Sequence, residues 1–162
     1  MFKKNKKLIA GVVFGACVFN FFPYYRVNGF SMCPTLNDKD LAFCERLPFI
    51  DERVGLDDLV IFTPPGNSNS CFIKRVVGVP GDHYVHNGVE EIISEGYYFV
   101  MGDNRDISFD SRDFGPVRIS DRIFGIYSGE DSKSFRMISP ISHNAVRAED
   151  FDSKEFCLIR KN

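Results

Sequence analysis

Three segments of this chain hold residue types able to do covalent chemistry. The first is Gly29-Phe30-Ser31-Met32-Cys33-Pro34-Thr35-Leu36, a serine in a loop shaped by a glycine and a proline. A serine hydroxyl is a poor nucleophile until a base takes its proton. Most loop serines only cap turns or helices, so a base has to be found. The three histidines do not suit: His83 and His86 flank a predicted hairpin turn, and His143 lies in a polar tail. Lys74 suits better, because it interrupts the apolar run Cys71 to Val79 (CFIKRVVGV). Burial disfavours an ammonium and lowers its pKa, and a lysine neutral near about pH 7 can serve as general base. A lysine on the solvent face of a strand, its stem laid over its neighbours, would account for the same residue without chemistry.

The third segment shifts that balance. Gly102-Asp103-Asn104-Arg105-Asp106-Ile107-Ser108-Phe109-Asp110-Ser111-Arg112 is dense in polar and turn-forming groups and directly follows the apolar run Tyr97 to Met101. Asp110 and Arg112 are placed to form a charge pair, and Ser108 offers a hydroxyl. A solvated loop would explain that composition, but not the occurrence of three such segments in this order. Phe30 and Met32, flanking Ser31, are candidates to line shallow substrate pockets.

The elements that must position these groups read as strands. Asp40 to Cys44, Leu56 to Phe62, Cys71 to Val79, His83 to Val85, Val89 to Ile93, Tyr97 to Met101 and Arg122 to Tyr127 are short apolar or β-branched runs. They are bounded by breakers such as Pro64-Pro65-Gly66 and Pro80-Gly81-Asp82. Asn87-Gly88 is a hairpin signal. Val27 to Leu36 reads as a short strand or extended segment ending in a loop, and Glu155 to Ile159 as a terminal strand or a loose end. No window past residue 26 keeps a helical period over three turns. The expected fold is therefore mainly β, with about seven short strands.

The N-terminus reads differently. Lys3, Lys4, Lys6 and Lys7 precede 16 residues without charge, Leu8 to Pro23, followed by Tyr24, Tyr25 and Arg26. About 20 apolar residues usually span a bilayer and about 17 can suffice. Basic residues before the run and tyrosines after it fit a cytoplasmic N-terminus and an interfacial belt. Three readings stand: a retained anchor, a cleaved secretory signal, or a lipoprotein signal with Cys17 as the modified residue. Apolar character running on to Phe22 favours retention, and all three send the rest of the chain across the membrane. The division predicted is 1–26 basic start and anchor, 27–128 exported β-domain, and 129–162 a C-terminal extension.

Composition excludes several classes. The chain has 162 residues, 44% apolar with 17 Phe, 26% charged and a net charge of −2. That is a globular protein rather than a disordered one, and it lacks the basic surplus that a nucleic-acid partner requires. The five cysteines have no zinc-like spacing, and neither metal nor cofactor is expected. A bridge among Cys44, Cys71 and Cys157 and small buried hydrophobes are both open readings. The sequence does not set the oligomeric state.

Four boxes, in order, carry a family likeness. SMCPTL (Ser31 to Leu36), DDLVIF (Asp57 to Phe62), IKRVVGVPGD (Ile73 to Asp82) and GDNRDISFDSRDFGPV (Gly102 to Val117) resemble those of bacterial type I signal peptidases, which release signal peptides from exported precursors. The resemblance runs from about Val27 to Tyr127, and the N-terminal anchor is in the same style. It implies a small signal-peptidase-like β fold of antiparallel strands with one N-terminal transmembrane helix. The catalytic domain would lie on the outer face of the cytoplasmic (inner) membrane, with precursor proteins and the lipid bilayer as partners. It makes Ser31 the nucleophile and Lys74 its base, with Ser108 hydrogen-bonded to the lysine amine. Asp110 and Arg112 become a supporting salt bridge, and the Ser31 N–H part of an oxyanion hole. Some members carry a hydroxyl two residues before the nucleophile, where this chain has Gly29. With 27 residues between Lys74 and Gly102, the chain resembles a minimal catalytic core. Short single-anchor members also mature pilin subunits in conjugative transfer systems. A catalytically inactive, membrane-tethered binding module is the reading from another class. A self-cleaving Ser–Lys regulator would require a DNA-binding helical domain, and the sequence has none.

Overall fold

The computed structural model describes residues 20–46, 53–86, 88–128 and 134–138, together with the backbone of 156–159. Among them lie ten strands and the short helix Ser111–Phe114, all strand pairs antiparallel. The strands are β1 Tyr24–Arg26, β2 Leu41–Glu45, β3 Leu59–Phe62, β4 Phe72–Gly78, β5 His83–His86, β6 Val89–Ile92, β7 Phe99–Met101, β8 Asp121–Ser128, β9 Ser134–Met137 and β10 Phe156–Ile159. Helix α1 is Ser111–Phe114. A seven-stranded sheet runs β1-β2-β8-β3-β4-β7, with β9 pairing the far half of β8, and a three-stranded sheet runs β10-β5-β6.

The long strand β8 is the hinge of this arrangement. One edge pairs β2 over its length, and the other pairs β3 at Asp121 and Arg122 and then β9 from Gly125 to Ser128. β3 (LVIF) is buried at all four positions, which is how a central strand covered on both faces should read. One cluster, with Val27, Met32, Leu36, Ala42, Leu59, Ile61 and Ile126, packs on one side of it. Another, with Val60, Phe62, Val76, Tyr98 and Val100, packs on the other. Burying each large side chain contributes about 2 kcal/mol.

Several expectations need correction. Val27 to Leu36 is not a strand but a chain of turns, held by the Asp38 and Asp40 carboxylates, which accept from Gly29 N and Asn37 N at 2.9 and 3.0 Å. The adjacent strand is Tyr24–Arg26 instead, paired with β2. Helix α1 is too short for any periodicity, and its signal is a cap: Asp110 accepts from Arg112 N, and Asp113 accepts from Asp110 N at 2.9 Å, a reciprocal capping box. β9 is exposed at all four positions, so no apolar alternation announces it, and its partner β8 makes it a strand. Among the described residues no helix is long and apolar enough to cross a membrane. Of the apolar run 8–23, only 20–23 are described, and the rest of the expected anchor lies outside the described residues.

Candidate active site

Lys74 stands in the middle of β4, opposite Val60 of β3. By strand alternation its side chain shares a face with Phe72 and Val76, while Arg75 points to the other face. β7 pairs β4 only as far as Met101 opposite Arg75. Beyond that point the chain turns away at Gly102, and the loop carrying Ser31 takes the place beside Lys74. The result is a single close contact: Lys74 Nζ lies 2.7 Å from Ser31 Oγ.

Lys74 is 4% exposed, and burial pushes its pKa below the ordinary 10.5. The charges of Asp110 and Asp103 oppose that shift without cancelling it. Nζ also lies 5.5 Å from the centre of the Phe72 ring. At 2.7 Å either direction of hydrogen bond is available: an ammonium donates to Oγ, whereas a neutral amine accepts the hydroxyl proton. The second arrangement raises the nucleophilicity of the serine.

The nucleophile loop is fixed through its backbone. Cys33 N donates to Phe30 O at 3.1 Å and Leu36 N to Met32 O at 2.9 Å. Asn104 N donates to Ser31 O at 3.0 Å, and Asn104 Nδ2 to Phe30 O at 3.2 Å. The Ser31 N–H has no hydrogen-bond partner among the described residues and is available to an incoming oxygen. Gly29 has φ +100°, a region that favours glycine, and its N–H is taken by Asp38. The position two before Ser31 therefore offers neither a hydroxyl nor a free amide.

The segment after β7 supports this loop from beneath. Gly102 is packed so closely that a Cβ there would fall 2.2 Å from Ser108 Oγ and 2.5 Å from Ser31 O. Asp110 is fully buried. Burial pushes its carboxyl up, but hydrogen bonds from Arg112 and from Gly102 N outweigh this and hold it below the ordinary range. Arg112 donates to both Asp110 oxygens at 2.9 and 3.1 Å and to Arg105 O at 2.7 Å, so the pair ties the loop into one piece. Ser108 is close by but does not make the expected bond to the lysine: its buried Oγ has no hydrogen-bond partner among the described residues.

Ser31 and Lys74 face a cleft of about 290 Å³ whose apolar lining includes Val27, Met32, Ile61, Ile73, Ile107 and Phe109. Of the two expected pocket residues, Met32 is in that lining, while Phe30 is outside it and 60% exposed. Sequence reading missed Tyr25, whose hydroxyl donates to Asp121 at 3.1 Å and which also lines the cleft. It missed Asp103 and Asn104 as well, although both stand in the box it singled out. Nothing in their spacing shows that one meets Arg75 and the other the Ser31 loop.

The remaining candidates lie elsewhere. His83, on β5 of the smaller sheet, meets Glu90 at 2.8 Å, and His143 is outside the described residues. Cys33, Cys44 and Cys71 are free thiols, which removes a Cys44–Cys71 bridge. Cys44 is a core residue whose thiol is pushed up by burial. Among the described residues no group of side chains could hold a metal ion.

Known proteins resemble this chain over most of its length. Residues 6–89 and 83–127 match the family described as signal peptidase, peptidase S26. The chain is 29% identical over 141 residues to signal peptidase I V of Bacillus subtilis (strain 168), covering 64% of this chain and 82% of that protein. It is 34% identical over 103 residues to the mitochondrial ATP-independent inner membrane protease subunit 1a of Arabidopsis thaliana (58% and 61% covered). It is 32% identical over 122 residues to thylakoidal processing peptidase 1, chloroplastic, of the same plant (55% and 36%). The chain spans less than two thirds of the length of both plant relatives. Since the family match takes in all four boxes and most of the chain, this protein belongs to the signal peptidase family, peptidase S26.

Proposed function

We propose that this protein is a membrane-bound serine endopeptidase that removes N-terminal signal peptides from exported precursors with a Ser31–Lys74 dyad. The observation that carries the reading is a buried lysine of lowered pKa with its amine 2.7 Å from a loop serine. Neutral Lys74 takes the Ser31 proton as Oγ attacks the scissile carbonyl. The tetrahedral oxyanion accepts the Ser31 N–H, whose preorganised dipole stabilises the developing charge. The protonated lysine then gives its proton to the departing amine, leaving an acyl ester on Ser31. Water, deprotonated by the same lysine, cleaves that ester and restores the enzyme.

Ser108 orients the amine in the substrate-bound state, and the Asp110–Arg112 pair holds the loop that brings it there. The apolar cleft accepts small side chains of an extended peptide, as an Ala-x-Ala site presents. An anchor within residues 1–26 keeps the cleft beside the membrane, since Ser31 follows Pro23 by only eight residues. Precursors tethered by their own signal peptides are then concentrated there. The test is cleavage of a purified precursor with an Ala-x-Ala site by the full chain in lipid. Wild type should cleave it and Ser31→Ala and Lys74→Ala should not; full processing by either variant would sink the assignment.

A further inference from the structure

The family match ends at residue 127, yet the chain beyond it returns to the nucleophile loop. β9 pairs β8 with Gly125 opposite Met137 and Ile126 opposite Arg136. The docking is specific. The Phe135 ring lies over Gly125, where an added Cβ would come within 2.5 Å of it, and meets Phe43 edge-on at 5.6 Å between centroids. Ile138 N extends the attachment by donating to Phe124 O at 2.9 Å. From this strand Arg136 Nη2 donates to Thr35 O at 2.9 Å. Thr35 lies four residues after Ser31, and its hydroxyl is approached on the other side by Arg75 Nη2 at 3.5 Å.

We infer that Arg136 is a positioning residue, with which the C-terminal extension clamps the loop that presents Ser31. Besides the side-chain contacts of Lys74 at Ser31 and of Arg75 at Thr35, the backbone of residues 29–35 is held from three places. The Gly102–Asn104 segment grips Phe30 and Ser31, Asp38 grips Gly29, and Arg136 grips the outgoing limb at Thr35. The first two act within the part of the chain matched by the family, and the third comes from outside it. A guanidinium donating to a carbonyl is a charge-assisted bond. Because Arg136 is exposed, removing it leaves no buried group unsatisfied and should cost little global stability. Its effect should instead fall on the freedom of residues 28–38.

Only the kinetic arm of the test rests on the peptidase reading. Arg136→Ala, Arg136→Lys and Met137→Ala are made in the full chain, the last as an exposed neighbour whose side chain alternates to the opposite face of the same strand. Amide hydrogen exchange is followed in peptides covering residues 28–38, and precursor cleavage is measured in parallel. Arg136→Ala should speed exchange of the loop about fivefold and lower kcat about fivefold with KM nearly unchanged, the loss of one hydrogen bond. Arg136→Lys keeps a donor and should recover most of the protection; a lysine variant as loose as alanine would overturn the hydrogen-bonded clamp. The inference is also overturned if Arg136→Ala matches Met137→Ala in both exchange and kcat. A wild-type chain that cleaves no precursor would refute the peptidase reading, while the exchange arm would still decide this one.

Discussion

The two faces of β4 put neighbouring cations to opposite uses. On one face Lys74 is buried, forms no ion pair with a described residue and meets a serine hydroxyl. On the other, Arg75 is fully engaged: Asp103 accepts two bonds at 2.8 and 2.7 Å, and Asp57 O accepts a third at 2.8 Å. Burial alone lowers the pKa of either cation, but the Asp103 and Asp57 partners more than reverse this for Arg75. A fork-shaped guanidinium suits a fixed two-oxygen partner, whereas a lysine left without one can lose its proton. Both reach the same loop, Lys74 at Ser31 and Arg75 at Thr35. One strand therefore supplies a group for chemistry and a group for rigidity within a single dipeptide.

The sharpest test of that division is Lys74→Met. Removing a general base should lower kcat/KM by about a thousandfold. The same change removes a desolvated amine, whose burial opposes folding wherever the unfolded chain would hold the proton. Stability should therefore rise at neutral pH, read as a higher Tm. Loss of both activity and Tm would place Lys74 with Arg75 as a structural cation. Next in size is Gly102→Ala, whose Cβ would press on Ser31 O and Ser108 Oγ. Displacing the nucleophile by such a distance should cost about a hundredfold in kcat, and precursor cleavage rates measure it.

How far the sequence could show this differs between the faces. Lys74 was legible because a lysine inside CFIKRVVGV contradicts its surroundings, and the boxes around it gave the contradiction a meaning. Most of the sheet was legible too, since β2, β3, β4, β7 and β8 are apolar runs between breakers. Arg75 was not, because its role depends on Asp103, 28 residues away, and such pairings have no local signature. β9 escaped for the same reason: Phe135 becomes a docking residue only because Gly125 leaves room for it. The approach to the Ser31 loop was read as strand or extended chain because the groups that hold it, Asp38 and Asp40, come later in the chain. The role of Ser108 came from likeness alone, and among the described residues its Oγ does not bond the lysine amine.

A pH profile sharpens the comparison further. If neutral Lys74 is the reactive form, kcat/KM should fall about tenfold per unit as pH drops below its folded-state pKa. That limb should lie below the 10.5 of an ordinary lysine, since burial disfavours the ammonium. The stability sign is the same: between the folded pKa and 10.5 the unfolded chain binds more protons, so the burden of Lys74 lightens as pH rises. Cleavage of a short peptide across the pH range measures the limb. A limb at or above 10.5 would mean that burial does not tune this amine.

The gentlest perturbation, Asp103→Ala, separates the faces most finely. It leaves Arg75 without its two-oxygen partner while Asp57 O still accepts one bond. Breaking a buried pair costs about 3 to 5 kcal/mol. With the two side chains 21% and 11% exposed, solvent screening brings the expected loss to about 2 kcal/mol, or about 6 °C in Tm. The catalytic consequence should be smaller and of a particular kind. The charge of Asp103 now raises the Lys74 pKa, so its removal should move the acidic limb to lower pH while the plateau rate stays within about threefold of wild type. Thermal melting and the pH profile of one preparation give both quantities. A collapsed plateau with unchanged Tm would reverse the roles assigned to the two faces. A lower Tm with a limb shifted to acid would show that the rigid face of β4 reaches the reactive one through charge as well as through the loop.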